Sequence, residues 1–297
     1  MSDIEHTRTR ATACCVAGRT DIAHATAFND AMNRVKTRVL RHSLRRPAAS
    51  PDQRDNLLLA SLPDVERRRV TAACDRVQLR FGSVICRQRA PTRYIYFPTG
   101  GFISLLAQLD GRPGLEVGLV GAEGAVGIAV ALGVDSAPVG AVVQGSGSAL
   151  RIDARRFGLE LGRSPALRRV ILRYLYVCMC QLAAMASCTR FHLVEARLAR
   201  WLLMTRDRAA SDDFYLTQEF IAYMLGVRRV GVTRAARILQ SRKLVSYSRG
   251  YINILDVAGL TAAACSCYAN AQNIYAVVMT RRRASARVGA LQAATVQ

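Results

Sequence analysis

"MLGVRRVGVTRAARILQ" (residues 224–240) sets one glycine between two runs of helical periodicity. Ahead of it, Thr217 is placed to cap a helix, with Gln218 and Glu219 in the first turn. Ile221, Met224 and Leu225 give that helix an apolar face, and Ala222 is small enough for a second helix to approach. Gly226 permits the left-handed backbone that ends a helix and turns the chain. A second helix is expected from near Arg228. At about 100° per residue, Val232, Ala235, Ile238 and Leu239 gather on one side and form its buried stripe. The other side carries Arg229, Val230, Thr233, Arg234 and Arg237.

The segment that follows, "KLVSYSRGYINIL" (243–255), alternates apolar and polar residues around Arg249–Gly250. This pattern predicts two strands joined by a tight turn, a wing beside the helix pair. Between Glu219 and Asp256 there are seven basic residues and no acidic one. A helix with a cationic, short-branched and acid-free outer face suits the major groove of double-stranded DNA. An ordinary helical hairpin explains neither that face nor the wing. The expected DNA contacts are Arg228, Arg229, Val230, Thr233, Arg234, Arg237 and, at the wing tip, Arg249.

Outward from this unit the chain changes texture. Residues 1–50 are rich in Arg, Ala and Thr with weak periodicity, and are expected to be a basic, poorly ordered arm. "DNLLLASLPDVERRRVTAAC" (55–74) has helical spacing, with a second start at Pro63–Asp64. From Val77 to Ile152, short Val/Ile/Leu/aromatic runs broken by glycines predict an all-β roll of about eight strands.

After Pro165 the period turns helical. Ile171, Leu175, Cys178, Leu182 and Met185 follow the alternating 4-3 spacing of a coiled-coil seam, and are the expected interface of a homodimer. Tyr174, Val177 and Ala184 lie opposite, so one face is expected on the roll and the other on a partner helix. The division expected is 1–50 arm, 51–163 β-roll sensor-like domain, 164–192 dimerisation helix, 193–262 winged helix-turn-helix and 263–297 basic extension. The fold class is α+β.

Composition bounds the function. The net charge of +21 comes from 42 basic and 21 acidic residues, and all but Lys36 and Lys243 of the basic ones are arginine. The excess runs the whole length of the chain, so local clustering carries more weight than the total. Nine cysteines include no C-x-x-C pair. Cys188 and His192, four apart, are read as ordinary helix packing, so no metal site is expected. No nucleophile-elbow, zinc-protease or phosphate-loop pattern occurs, and an enzyme is not expected. Polar residues interrupt the apolar stretches, so neither a membrane span nor a signal peptide is expected, and a cytoplasmic location follows.

The order roll, long helix, winged helix-turn-helix resembles the Crp/Fnr superfamily of bacterial transcription regulators. The resemblance covers roughly residues 52–258. It is carried by "LTQEFIAYMLGVRRVGVTRAARILQSRKLV" (216–245) with the wing, and by "YIYFPTGGFISL" (94–105) and "EVGLVGAEGAVG" (116–127) in the roll.

The resemblance implies a cyclic-nucleotide-binding-like jelly roll and a homodimer on a two-fold symmetric DNA site, with RNA polymerase as a further partner. It puts Arg229 and Arg234 where many relatives hold base-contacting side chains, and Val230 where a cyclic-AMP-responsive member has a glutamate. Glu123 falls near the ribose-binding glutamate of nucleotide-sensing members, which makes it the candidate effector residue. Those members also use an arginine for the phosphate, yet no Arg or Lys occurs from Glu116 to Leu150. Burying a phosphate without a cation is costly, so cyclic AMP is not expected and the effector is left open. The alternative function is a nucleotide- or small-molecule-sensing module that regulates a partner protein.

Overall fold

The computed structural model describes residues 55–108 and 114–280. The expected arm at 1–50 and the end of the basic extension, 281–297, lie outside the described residues.

Two short helices lead in: α1 (Leu57–Ala60) and α2 (Asp64–Ala72), the second starting directly after Pro63. Asn56 is buried at the head of α1. Its Oδ1 accepts from the Leu58 and Leu59 amides, while its Nδ2 donates to the carbonyls of Pro98 (3.0 Å) and Gly124 (2.8 Å). One side chain therefore caps the helix and fastens it to the roll.

The roll comprises β1 (Asp75–Leu79), β2 (Val84–Cys86), β3 (Tyr94–Pro98), β4 (Phe102–Ala107), β5 (Leu115–Val120), β6 (Gly140–Gly145) and β7 (Gly147–Asp153). Seven strands are thus present among the described residues, against about eight expected. They form two antiparallel sheets, β1-β7-β3 and β2-β6-β4-β5. Inward residues such as Leu79, Ile103, Val120 and Val143 fill the space between the sheets. Ile95, Phe97 and Ile152 instead meet the helices.

Asp153 caps α3 (Ala154–Arg163), and Ser164 caps α4 (Pro165–Phe191), where proline opens the first turn. The long helix packs Leu167, Ile171, Tyr174 and Val177 into the roll's core. It is followed by α5 (Val194–Ala209), β8 (Asp213–Tyr215), α6 (Gln218–Leu225), α7 (Arg229–Ser241), β9 (Val245–Ser248), β10 (Tyr251–Ile254), α8 (Val257–Ala263) and α9 (Cys267–Thr280).

The structure corrects the expected seam. Ile171 is fully buried in its own chain's core, and Leu175 and Cys178 are half-buried against that core. Ile274, Tyr275, Val278 and Met279 of α9 join the same cluster, so the extension is an ordered helix over this part and covers α4. Met185 is half-buried and its sulfur accepts from Arg200. Of the five expected seam residues, Leu182 alone is exposed, at 47%. The open apolar stripe runs one residue further round, through Leu172, Tyr176, Met179, Ala183 and Ala186. It keeps the 4-3 spacing.

With a mean hydropathy of 1.5, α4 is long and apolar enough to cross a membrane by length and composition, contrary to the sequence expectation. Five of its residues are buried within the protein, and much of its remaining apolar surface lies on this stripe.

Candidate nucleic-acid interface

The helix pair forms as its local chemistry dictates. Thr217 Oγ1 accepts from the Phe220 amide (3.2 Å) and opens α6. Gly226 closes it with φ 62°, the left-handed conformation. A β-carbon there would stand 2.7 Å from Leu115 Cδ1, a side-chain end that can shift, so it is the left-handed backbone that reserves this turn for glycine. The next helix, α7, buries Val232, Ala235, Ala236 and Leu239, with Ile238 half-buried. This is the predicted stripe with Ala236 added.

Arg228, Arg229, Val230, Arg234 and Arg237 are all exposed on the outer side. Val230 is 72% exposed, an apolar side chain with no packing duty of its own. Thr233 is different: half-buried, its hydroxyl donates to Gln218 Oε1 at 2.6 Å and pins α7 against α6. Among the described residues, the arginines at 228, 229, 234, 237 and 249 enter no ion pair. Arg242, by contrast, reaches Glu195 at 3.5 Å.

The wing turns at Arg249 (φ 51°) and Gly250 (φ 89°), both left-handed, as a two-residue turn between antiparallel strands requires. Arg249 is exposed at its tip. Sequence periodicity missed the third strand, β8, which pairs with β10 and sets Tyr215 edge-on to Tyr251 at 4.9 Å. Three residues are too few to show a period. Beneath the unit, Leu198, Trp201 and Leu202 of α5 complete the core.

Residues 196–263 match the family described as the Crp-like helix-turn-helix domain. The chain has the Crp/Fnr fold. A solved Crp/Fnr-family regulator from Eubacterium rectale aligns over 69% of this chain and 96% of its own, with 17% identity and a TM-score of 0.57. CLP of Xanthomonas campestris, described as a c-di-GMP-responsive global regulator, aligns over 65% and 99%, with 18% identity and a TM-score of 0.55. FixK2 of Bradyrhizobium japonicum aligns over 65% and 98%, with 14% identity and a TM-score of 0.54. No curated protein sequence matches the chain.

A second feature of the structure is a cavity of about 780 Å³ between the roll and the helices. It is lined by Thr99, Glu123 and Ser146 of the roll, Gln181 of α4, Arg208 of α5 and Tyr268 and Tyr275 of α9. Glu123, the expected effector residue, does face this space. It is paired with Arg208 at 2.7 Å, and both side chains are largely buried. The cation missing from residues 116–150 of the roll is therefore supplied by α5 of the helix-turn-helix half. Tyr275 donates to the Glu123 carbonyl (2.8 Å), and Tyr268 to Asp207 (3.0 Å), so α9 closes one side of the cavity. Neither Arg208 nor α9 carried a signal in the sequence, because each meets the roll only in the folded chain.

Proposed function

We propose that the protein is a sequence-specific, DNA-binding transcription regulator of the Crp/Fnr type, acting as a homodimer on a two-fold symmetric site. The observation that carries this is the outer face of α7. Four exposed arginines flank or occupy a helix whose inner face is packed, within a Crp-like helix-turn-helix domain, and Arg249 extends the same charge onto the wing. Phosphate contacts from such cations supply affinity, and arginine forks on guanine edges supply specificity.

The apolar stripe of α4 supports the dimer. Leu172, Tyr176 and Met179 followed by Ala183 and Ala186 give large side chains at one end and close approach at the other. The cavity supports a small-molecule effector, since it touches the roll, α4, α5 and α9 together. Cyclic AMP is not the effector we favour, because Arg208 already has Glu123 as its counter-ion. RNA polymerase as a further partner, a cytoplasmic location and the absence of enzymatic activity follow the same family reading.

The test is selection of DNA by the full chain from its own genomic fragments. Enrichment of a palindrome with half-sites about 10–10.5 base pairs apart, or a multiple of that, is the expected result. Recovery of fragments with no shared motif overturns sequence-specific binding and favours the partner-protein alternative.

A further inference from the structure

Cys188 lies in the last turn of α4, His192 is the extended residue that caps its C-terminus, and Cys265 and Cys267 straddle the start of α9. Their four donor atoms lie within 4.8 Å of one another. Cys188 Sγ is 3.6 Å from Cys265 Sγ, and Cys267 Sγ is 3.6 Å from His192 Nδ1. The three thiols are buried and His192 is half-buried. The sequence expectation of no metal site rested on the missing C-x-x-C pair and on reading Cys188 and His192 as ordinary helix packing. Folding instead joins a C-x-x-x-H at the end of one helix to a C-x-C at the start of another.

We propose that Cys188, His192, Cys265 and Cys267 form a tetrahedral Cys3His site for a zinc ion. Zinc–sulfur bonds of about 2.3 Å and zinc–nitrogen bonds of about 2.0–2.1 Å set tetrahedral donors roughly 3.5–3.8 Å apart, close to the spacings found here. An iron–sulfur cluster spreads its thiolates over several irons and needs them further apart than this group allows. Binding replaces three thiol protons by one divalent ion, with no electron transferred, and leaves a net charge of −1.

The surroundings match that charge. Arg200 is 5% exposed, and its guanidinium hydrogen bonds go to the thioether sulfurs of Met204 (3.6 Å) and Met185 (3.4 Å), which are weak acceptors. Its Nε has no partner among the described residues. A buried cation set among sulfurs calls for a nearby anion, and a three-thiolate zinc centre is one.

The place gives the site its consequence. Phe191–Leu193 is where the long helix hands over to the DNA-binding half, and the Cys265 amide is bonded there to the Ala196 carbonyl (3.3 Å). Zinc would lock the start of α9, the helix that closes the cavity, onto this corner.

Full-length protein isolated under reducing conditions from zinc-supplemented cells should carry one zinc per chain by mass spectrometry. The single variants Cys188→Ala, Cys265→Ser and Cys267→Ser should each lose it, while Cys14→Ser/Cys15→Ser retains it. To separate ligand loss from misfolding, the metal-free chain is titrated with cobalt(II) and its circular dichroism recorded. Thiolate-to-cobalt charge transfer with tetrahedral d–d bands is expected, weakened in each single variant of unchanged helicity and abolished by added zinc. A natively folded, reduced chain that carries no zinc and shows no such bands overturns the proposal. So does zinc retained in Cys265→Ser and Cys267→Ser, or a Cys188–Cys265 disulfide in the freshly isolated protein.

Discussion

The indole of Trp201 donates to the Glu116 carboxyl at 2.7 Å, joining α5 of the helix-turn-helix half to strand β5 of the roll. Both side chains are buried. Burial pushes the Glu116 carboxyl up from an ordinary 4.5 to about 7, offset only in part by donors from Ser104 and Trp201 and by the charges of Arg200 and Arg208.

In the unfolded chain Glu116 gives up its proton near 4.5, and in the folded chain only near 7. Its contribution is therefore fully present below about pH 4.5 and is lost as pH rises through 7, amounting to about 3 kcal/mol. Trp201 is the only tryptophan, so its fluorescence reports on this bond directly. Fluorescence of the native protein should titrate with a midpoint near 7, and Glu116→Gln should flatten both that titration and the stability loss. A Glu116→Gln protein that still titrates like the parent would place the ionising group elsewhere.

The corrected seam separates two kinds of variant. Met179→Glu puts a charge in each copy's exposed stripe and should give monomers by light scattering, with little change in melting temperature. Ile171→Ala should do the reverse, costing about 2–5 kcal/mol of fold stability with the dimer retained. Loss of the dimer should remove binding to a two-fold site, since one recognition helix reaches only one half-site. A dimeric Met179→Glu protein would show that the stripe is not the interface.

Arg249 tests the wing. Its exposed guanidinium at a left-handed turn should meet phosphate, so Arg249→Ala should weaken binding to all sequences alike. The slope of log affinity against log salt should flatten by about one unit. An unchanged slope removes the wing from the contact surface.

What could be read in advance divides by the distance over which each signal acts. Thr217, Gly226 and the Val232–Ala235–Leu239 stripe announce the helix pair because a cap, a left-handed turn and a period are all local. Sequence alone does not separate the track through Ile171 from the one through Met179, because both have the same 4-3 spacing. Only the docked roll and α9 show which is already occupied. Arg208 opposite Glu123, and Cys265 opposite Cys188, are juxtapositions made by the tertiary fold, and no window of sequence contains both partners. Thr233 illustrates a subtler limit. It lies on the outward side by angle, yet its hydroxyl is engaged with Gln218.

Arg234 and Val230 bear on how the helix reads DNA. Arg234 is exposed and enters no ion pair among the described residues, so its planar fork is available to pair bidentately with a guanine. Arg234→Ala should cost about 1–3 kcal/mol on the preferred site and much less on random DNA. Val230 offers no hydrogen bond and suits a thymine methyl, so Val230→Glu should move preference towards a half-site containing cytosine. Because Val230 is 72% exposed, neither fold nor dimer should suffer from the change. Selection from a random pool compares both variants with the parent. Three identical motifs would mean that α7 contributes charge and shape but reads no base.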